Sequence, residues 1–216
     1  MPSKNSIKRY SENGYYHIYN RGVAKGEIFL SDQDYAVFLS YLKEYLLPPV
    51  PPTVEELMLM RYKYNRKNYH DSIDLICFCL MPNHFHLLLK QNEPRNIEGF
   101  MRSLSIRYAG YFNKHYERVG HVFQDVYTCT MIEQDEYLWW LSRYIHRNPL
   151  NIIKPGSGLA NYLYSSYSTF LGQNSAKWIN SAMILGVIKD YKSFVEDDKN
   201  RYPEKMVDLI LDTDSN

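Results

Sequence analysis

The sequence predicts an α+β domain built on one antiparallel sheet, with its helices packed mainly on one face. Three observations carry this. The elements run in the order strand, helix, two strands, helix, strand, helix. The two middle strands are separated only by Met81-Pro82-Asn83, a connection short enough to demand a hairpin. The segments with helical spacing each stop at a proline or glycine.

Tyr15 to Arg21 is rich in aromatics and ends at Gly22, which reads as a first strand. Ser31 with Asp34 three residues on has the form of a capping box. Tyr35, Phe38, Leu39, Leu42 and Leu46 then repeat at helical spacing until Pro48. The run Leu47-Pro48-Pro49-Val50-Pro51-Pro52 can neither continue a helix nor pair in a sheet, so it reads as a stiff insertion. Ile73 to Leu80 and His84 to Lys90 form the hairpin. Ile97, Phe100, Met101, Leu104, Tyr108, Tyr111 and Phe112 mark one face of a long helix ending near His115, with Gly120 as its breaker. Val122 to Ile132 has the β-branched and aromatic content of a further strand, and a last clear helix runs from about Asp135 to Pro149. Residues 1–150 make one domain by this reading, with a Pro-rich and basic insertion at about 47–70, and 151–216 a helical extension with an acidic tail.

No stretch approaches the length of a membrane span, and the first residues lack the apolar segment of a signal peptide. Three cysteines, Cys77, Cys79 and Cys129, argue against a disulfide framework and for a reducing compartment. A soluble cytoplasmic protein without a membrane partner is expected. The net charge of +1 conceals an uneven distribution. Seven acids against three bases fall after residue 195, which leaves 22 bases and 17 acids in the body. Within that body, Arg61 to Tyr69 alternates cations with tyrosines and contains no acid, a composition that suits a single-stranded nucleic acid and equally a solvated basic loop.

The chemistry-bearing stretch is Met81-Pro82-Asn83-His84-Phe85-His86-Leu87-Leu88-Leu89. Side chains alternate along a strand, so His84 and His86 share one face while Phe85, Leu87 and Leu89 share the other. Neutral imidazole is the commonest metal ligand, and two of them here converge from a rigid element. A pair of structural strand histidines gives the same pattern, so the motif alone does not decide. In the last helix, Tyr144 and Asn148 lie four residues apart and present a phenol and an amide to the same neighbour. Taken singly, each also reads as structural: a core tyrosine, and a helix-end residue beside a proline.

Taken together and in order, these segments resemble the single-tyrosine HUH transposases, in particular the REP-associated tyrosine transposase branch of the IS200-like group. Tyr16-His17-Ile18-Tyr19-Asn20-Arg21-Gly22 is similar to the family's opening strand, and Met81 to Leu89 to its His-hydrophobe-His motif. Arg118 to Gln124 is similar to its segment after the long helix, Tyr144 to Pro149 to its tyrosine helix, and Tyr164-Ser165-Ser166-Tyr167 to a motif beyond it. The resemblance implies the HUH endonuclease fold, a ferredoxin-like antiparallel sheet. It implies Tyr144 as nucleophile, His84, His86 and Asn148 as ligands of a divalent metal, magnesium or manganese, and single-stranded DNA with a hairpin as partner. The implied reaction is cleavage and strand transfer through a covalent 5′-phosphotyrosine.

Arg21, Arg61, Lys63 and Arg66 are the candidate DNA contacts, and Arg143 and Arg147, one helical turn apart, are candidate phosphate ligands. A bacterial, cytoplasmic setting follows from the resemblance, and a homodimer or a monomer would both fit. Two other functions stay open at this level: a domesticated hairpin-binding protein of the same fold without cleavage, and a replication-initiator or relaxase-like nickase. Metal-dependent cleavage separates the enzymes from the binding module.

Overall fold

In the computed structural model, residues 8–49, 67–203 and 206 are described. Four strands form one sheet: β1 (Tyr15–Arg21), β2 (Ile73–Met81), β3 (His84–Gln91) and β4 (Thr128–Ile132). Their order is β2-β3-β1-β4 and every neighbouring pair is antiparallel. The chain reaches this order through α1 (Asp32–Leu46), between β1 and β2, and α2 (Asn96–His115), between β3 and β4. This is the ferredoxin-like α+β sheet expected from the sequence.

Alternation along the strands sorts the side chains into two layers. Tyr16 and Ile18 of β1, Phe78 and Leu80 of β2, and Phe85, Leu87 and Leu89 of β3 are buried with Phe38 and Leu42 of α1 and Phe100, Leu104 and Tyr108 of α2. The opposite face carries His84, His86 and Leu88, whose register partners across β3 are Arg21, Tyr19 and His17 of β1 and Met81, Cys79 and Cys77 of β2. A bulge between Leu75 and Cys77 adds one residue to β2, so that Ile76 and Cys77 both join the second layer. Cys77, Cys79 and Cys129 are buried free thiols.

The second face is covered by α3 (Asp135–Arg147) and the chain beyond it, including the short helices α4 (Tyr167–Phe170), α5 (Ala182–Val187) and α6 (Tyr191–Glu196). The two helices of the sheet repeat thus share one face, while the tyrosine-bearing helix lies on the other.

Local chemistry explains the boundaries. The Ser31–Asp34 capping box forms, and Asp34 also accepts hydrogen bonds from the Leu30 amide and from the Tyr111 and Tyr116 hydroxyls. The Pro82-Asn83 turn is clamped by the chain after β1. Pro82 O accepts from the amides of Ile28 and Phe29, and Asn83 O accepts from that of Gly22. Gly22 is required there, since a Cβ would lie 2.1 Å from Gly26 O.

The strand expected from Val122 to Ile132 is regular only over Thr128–Ile132. Before it, the Asn20 side chain donates to Asp125 O, the Gln124 amide donates to Arg21 O, and Asp125 Oδ1 accepts from the Val126 amide. These bonds bow residues 123–127 away from β1, leaving one bridge between Gly22 and Phe123. The Tyr164–Tyr167 segment closes the outer edge of β2. Leu80 N donates to Tyr164 O, Ser166 N donates to Phe78 O, and Cys79 bridges Ser165.

Buried beneath α3, His146 bonds through Nδ1 to the Tyr191 hydroxyl and through Nε2 to Ser166 Oγ, each at 2.7 Å. Burial pushes its pKa down from 6.5 to about 3, and does the same to His17. The unfolded rings titrate near 6.5, so on acidification the unfolded chain takes up these protons first. Stability should therefore be intact above pH 6.5. Below that it should fall by about 1.4 kcal/mol per pH unit for each ring until about pH 3. Urea unfolding at pH 7, 6, 5 and 4 measures this, and a flat profile across that range would contradict the buried neutral rings.

Candidate active site

The site forms where β3 begins, against α3. His86, 2% exposed, packs its ring edge-on to that of Tyr144, with centroids 5.4 Å apart and planes at 80°. The His84 and His86 rings lie 4.9 Å apart at 87°. Asn148 closes the group from the end of α3, its Oδ1 3.5 Å from His84 Nε2. Of the four residues singled out in the sequence, all four meet here, supplied by one strand and one helix end. Tyr108 and Tyr111 point elsewhere: the Tyr108 hydroxyl donates to Ile28 O in the α1–α2 layer, and that of Tyr111 to Asp34.

The hydrogen bonds around these groups assign which atoms carry lone pairs. Asn148 Nδ2 donates to Tyr144 O at 2.9 Å, which turns the amide so that Oδ1 faces the histidines. Asn83 Nδ2 donates to Lys25 O, which leaves Asn83 Oδ1 to accept from His84 Nδ1 at 2.7 Å. A neutral His84 therefore carries its proton on Nδ1 and a lone pair on Nε2, opposite the acceptor oxygen of Asn148. His86 Nδ1 bonds to His17 Nε2 at 3.0 Å, while His86 Nε2 is buried without a hydrogen-bond partner.

Burial pushes the His86 pKa well below 6.5, with the neighbouring His84 and His17 adding to the effect. The Asn148 amide opposes it without reaching Nε2 in hydrogen-bonding geometry. Two imidazole nitrogens and an amide oxygen are thus gathered at one place. A divalent cation fits such a donor set. Among the described residues no group of three His, Cys, Asp or Glu is placed to hold a metal ion, and the third donor beside the two histidines is an amide.

The cations proposed for DNA divide three ways. Arg21 pairs in register with His84 and so stands on the site face, where its Nε donates to Gln124 Oε1 at 2.8 Å. Arg61, Lys63 and Arg66 lie outside the described residues. Arg143 and Arg147, expected as phosphate ligands, are both engaged by the chain itself. Arg143 is 2% exposed and donates to Phe194 O and Asp197 O, and Arg147 donates to Val195 O and to the Asp198 carboxylate. The end of α6 and the residues after it lie over α3 and engage both guanidinium groups, which spacing within one helix does not reveal. Sequence reasoning also assigned no role to His17 and Asn83, the two residues that hold the outer nitrogens of the histidine pair. The signal for His17 was its position in β1 at the strand spacing that faces the site.

A four-stranded antiparallel ferredoxin-like sheet with two histidines on a central strand and a tyrosine helix crossing them is the HUH endonuclease fold. Residues 57–148 match the family model described as "Transposase IS200 like", which bears out the resemblance read from the ordered motifs. The solved structure of a REP-associated tyrosine transposase bound to a REP hairpin aligns at TM-score 0.54, with 10% identity, over 82% of this chain and 97% of that one, and so shares the fold. A protein from Deinococcus radiodurans R1, provisionally named a transposase, aligns at TM-score 0.37 with 14% identity, over 68% of this chain and 97% of that one. A search of curated proteins finds no match to this chain. Among the described residues no helix is long and apolar enough to cross a membrane.

Arg143→Ala should lower the unfolding free energy by about 3 kcal/mol, because two carbonyls lose charge-assisted partners. The salt dependence of single-stranded DNA binding should stay as in the wild type. Urea unfolding and fluorescence anisotropy across a salt series check the two halves. A flattened salt slope with unchanged stability would return Arg143 to the DNA.

Proposed function

We propose that this protein is a divalent-metal-dependent endonuclease and strand transferase for single-stranded DNA, acting beside hairpins through a covalent bond to Tyr144. The observation that carries the reading is the inward-facing set of His84 Nε2, His86 Nε2 and Asn148 Oδ1, with the Tyr144 ring packed against His86.

His84, His86 and Asn148 would hold magnesium or manganese, which when bound supplies a Lewis acid that polarises the scissile phosphate and offsets its transition-state charge. The protein's own part is positional. A phenol with an ordinary pKa near 10 is a weak nucleophile at pH 7, so its placement beside the phosphate site matters more than its intrinsic reactivity. Tyr144 Oη forms the bond to phosphorus, and the bond from phosphorus to the 3′ oxygen breaks. The phenolic proton passes to solvent and the departing oxygen takes one up as a 3′ hydroxyl. The phosphotyrosine conserves the energy of the diester, so a 3′ hydroxyl can reverse the step and join strands without a nucleotide cofactor. Arg21, on the same face as His84, is available to the DNA backbone once its contact with Gln124 is exchanged.

Hairpin DNA as partner is supported by the hairpin-bound state of the structural relative. The proximity of Tyr144 to His86 of the same chain supports a site completed within one protomer.

The test is cleavage of labelled single-stranded hairpin DNA from beside the gene, with manganese, with magnesium and with chelator. Cleavage should need metal, and Tyr144→Phe and His84→Ala should each lower it by roughly a thousandfold or more. Cleavage that survives in Tyr144→Phe would remove the nucleophile assignment. Tight hairpin binding with no cleavage under either metal would favour the binding-module reading.

A further inference from the structure

The proposed ligands are supported unequally by the sequence around them. His84 has its outer nitrogen held by its own neighbour, Asn83 Oδ1, at 2.7 Å. His86 has no such neighbour, since Phe85 and Leu87 point into the opposite core layer. Its outer nitrogen is instead held across the sheet by His17 of β1, 1% exposed, with Nε2 3.0 Å from His86 Nδ1 and the two rings stacked at 21°.

The β1–β3 register sets this contact. His17 pairs with Leu88 and Tyr19 with His86, so His17 reaches the ring diagonally from the adjoining strand. His17 also stands edge-on to Tyr144, with centroids 6.2 Å apart at 82°, and so touches both the proposed ligand and the proposed nucleophile.

Two neutral imidazoles in one hydrogen bond share a single proton, and there are two ways to place it. If His17 Nε2 donates, His86 carries its own proton on Nε2, a buried atom that makes no hydrogen bond in the structure, Asn148 Oδ1 lying instead beside His84 Nε2. That arrangement would forfeit a hydrogen bond at a cost comparable to the bond itself, and would abolish the lone pair that a ligand needs. If His86 Nδ1 donates to His17 Nε2, the Nε2 lone pair faces the site beside His84 and Asn148. We infer that His17 is a positioning residue that accepts the His86 Nδ1 proton, fixing His86 in the tautomer and orientation that present Nε2 to a divalent cation.

This inference rests on the metal reading of the site, and the His17 bond performs for His86 what Asn83 performs for His84. Outer-sphere partners of ligating histidines commonly change metal affinity by about ten- to a hundredfold when removed. A carboxylate is a usual partner for that position. A neutral imidazole in its place adds no negative charge to the donor set and keeps the buried pair uncharged.

The experiment uses the full chain and has two readouts besides cleavage. In protein labelled with 15N-histidine and free of metal at pH 7, long-range proton–nitrogen correlation spectra should show His86 protonated on Nδ1 and bare on Nε2. Assignment would be by comparison with His86→Gln and His17→Gln. A His86 protonated on Nε2 would overturn the inference. Manganese affinity, read by the paramagnetic resonance of the free ion, should weaken about ten- to a hundredfold in His17→Leu. It should stay within a few-fold of wild type in His17→Gln, whose amide oxygen can accept the same proton.

Wild-type affinity in a folded His17→Leu protein would also overturn the inference. Should His17→Leu fail to fold, the tautomer spectrum of the wild type and the His17→Gln titration still decide. If wild type binds no manganese and His84→Ala changes nothing, the metal reading itself fails, while the spectrum independently accepts or rejects the proton assignment.

Discussion

The pairing of β3 with β1 at the centre of the sheet is the constraint on which the rest depends. In this register one face of β3 gives Phe85, Leu87 and Leu89 to the α1–α2 core, and the other gives His84, His86 and Leu88 to the site. A slip of one residue would place two imidazoles in an apolar layer and three large apolar side chains under the tyrosine helix. Burial of those side chains, each worth about 2 kcal/mol or more, therefore selects the register that presents the histidines. The same register brings His17 across to His86. Stability of the core and geometry of the site are one choice made by a single strand pair.

The second face is assembled differently. The apolar residues Leu138, Leu141 and Ile145 seat α3 on the sheet, but polar groups hold it in place along its length. Arg143 ties it to the carbonyls of Phe194 and Asp197, and His146 ties it to α6 through the Tyr191 hydroxyl and to β2 through Ser166, whose Oγ accepts from the Phe78 amide. Tyr144 stands between these two anchors, and the residue four positions on, Asn148, uses its amide nitrogen to close onto the Tyr144 carbonyl. The helix end and the phenol are thereby held as a unit over the histidines. Acidification acts on this arrangement through the buried His146, so the face that carries the candidate site is also a pH-sensitive part of the fold.

Much of this was legible in the residues themselves. Period-two alternation separated His84 and His86 from Phe85, Leu87 and Leu89, and the Ser31–Asp34 pair marked the start of α1 where the capping box forms. The convergence of Tyr144 and Asn148 on the histidines followed from helix spacing, once the family resemblance supplied the expectation that the two motifs meet. Contacts made between distant segments were not legible. Arg143 and Arg147 read as candidate phosphate ligands because nothing local reveals that residues 194–198 return to bind them. The strand before β4 was overextended because side-chain bonds from Asn20 and Asp125 compete with the ladder. The cross-strand hold of His17 on His86 depends on a register that composition does not state.

The central claim is that Tyr144 and the histidine pair act on one phosphate. It is tested most directly by incubating the protein with single-stranded hairpin DNA and manganese, digesting the mixture, and locating any DNA-linked peptide by mass spectrometry. The account predicts a nucleotide phosphate on the peptide containing Tyr144, formed only with metal and absent from His86→Ala protein. A linkage to another tyrosine, or one that forms equally well in chelator, would contradict it.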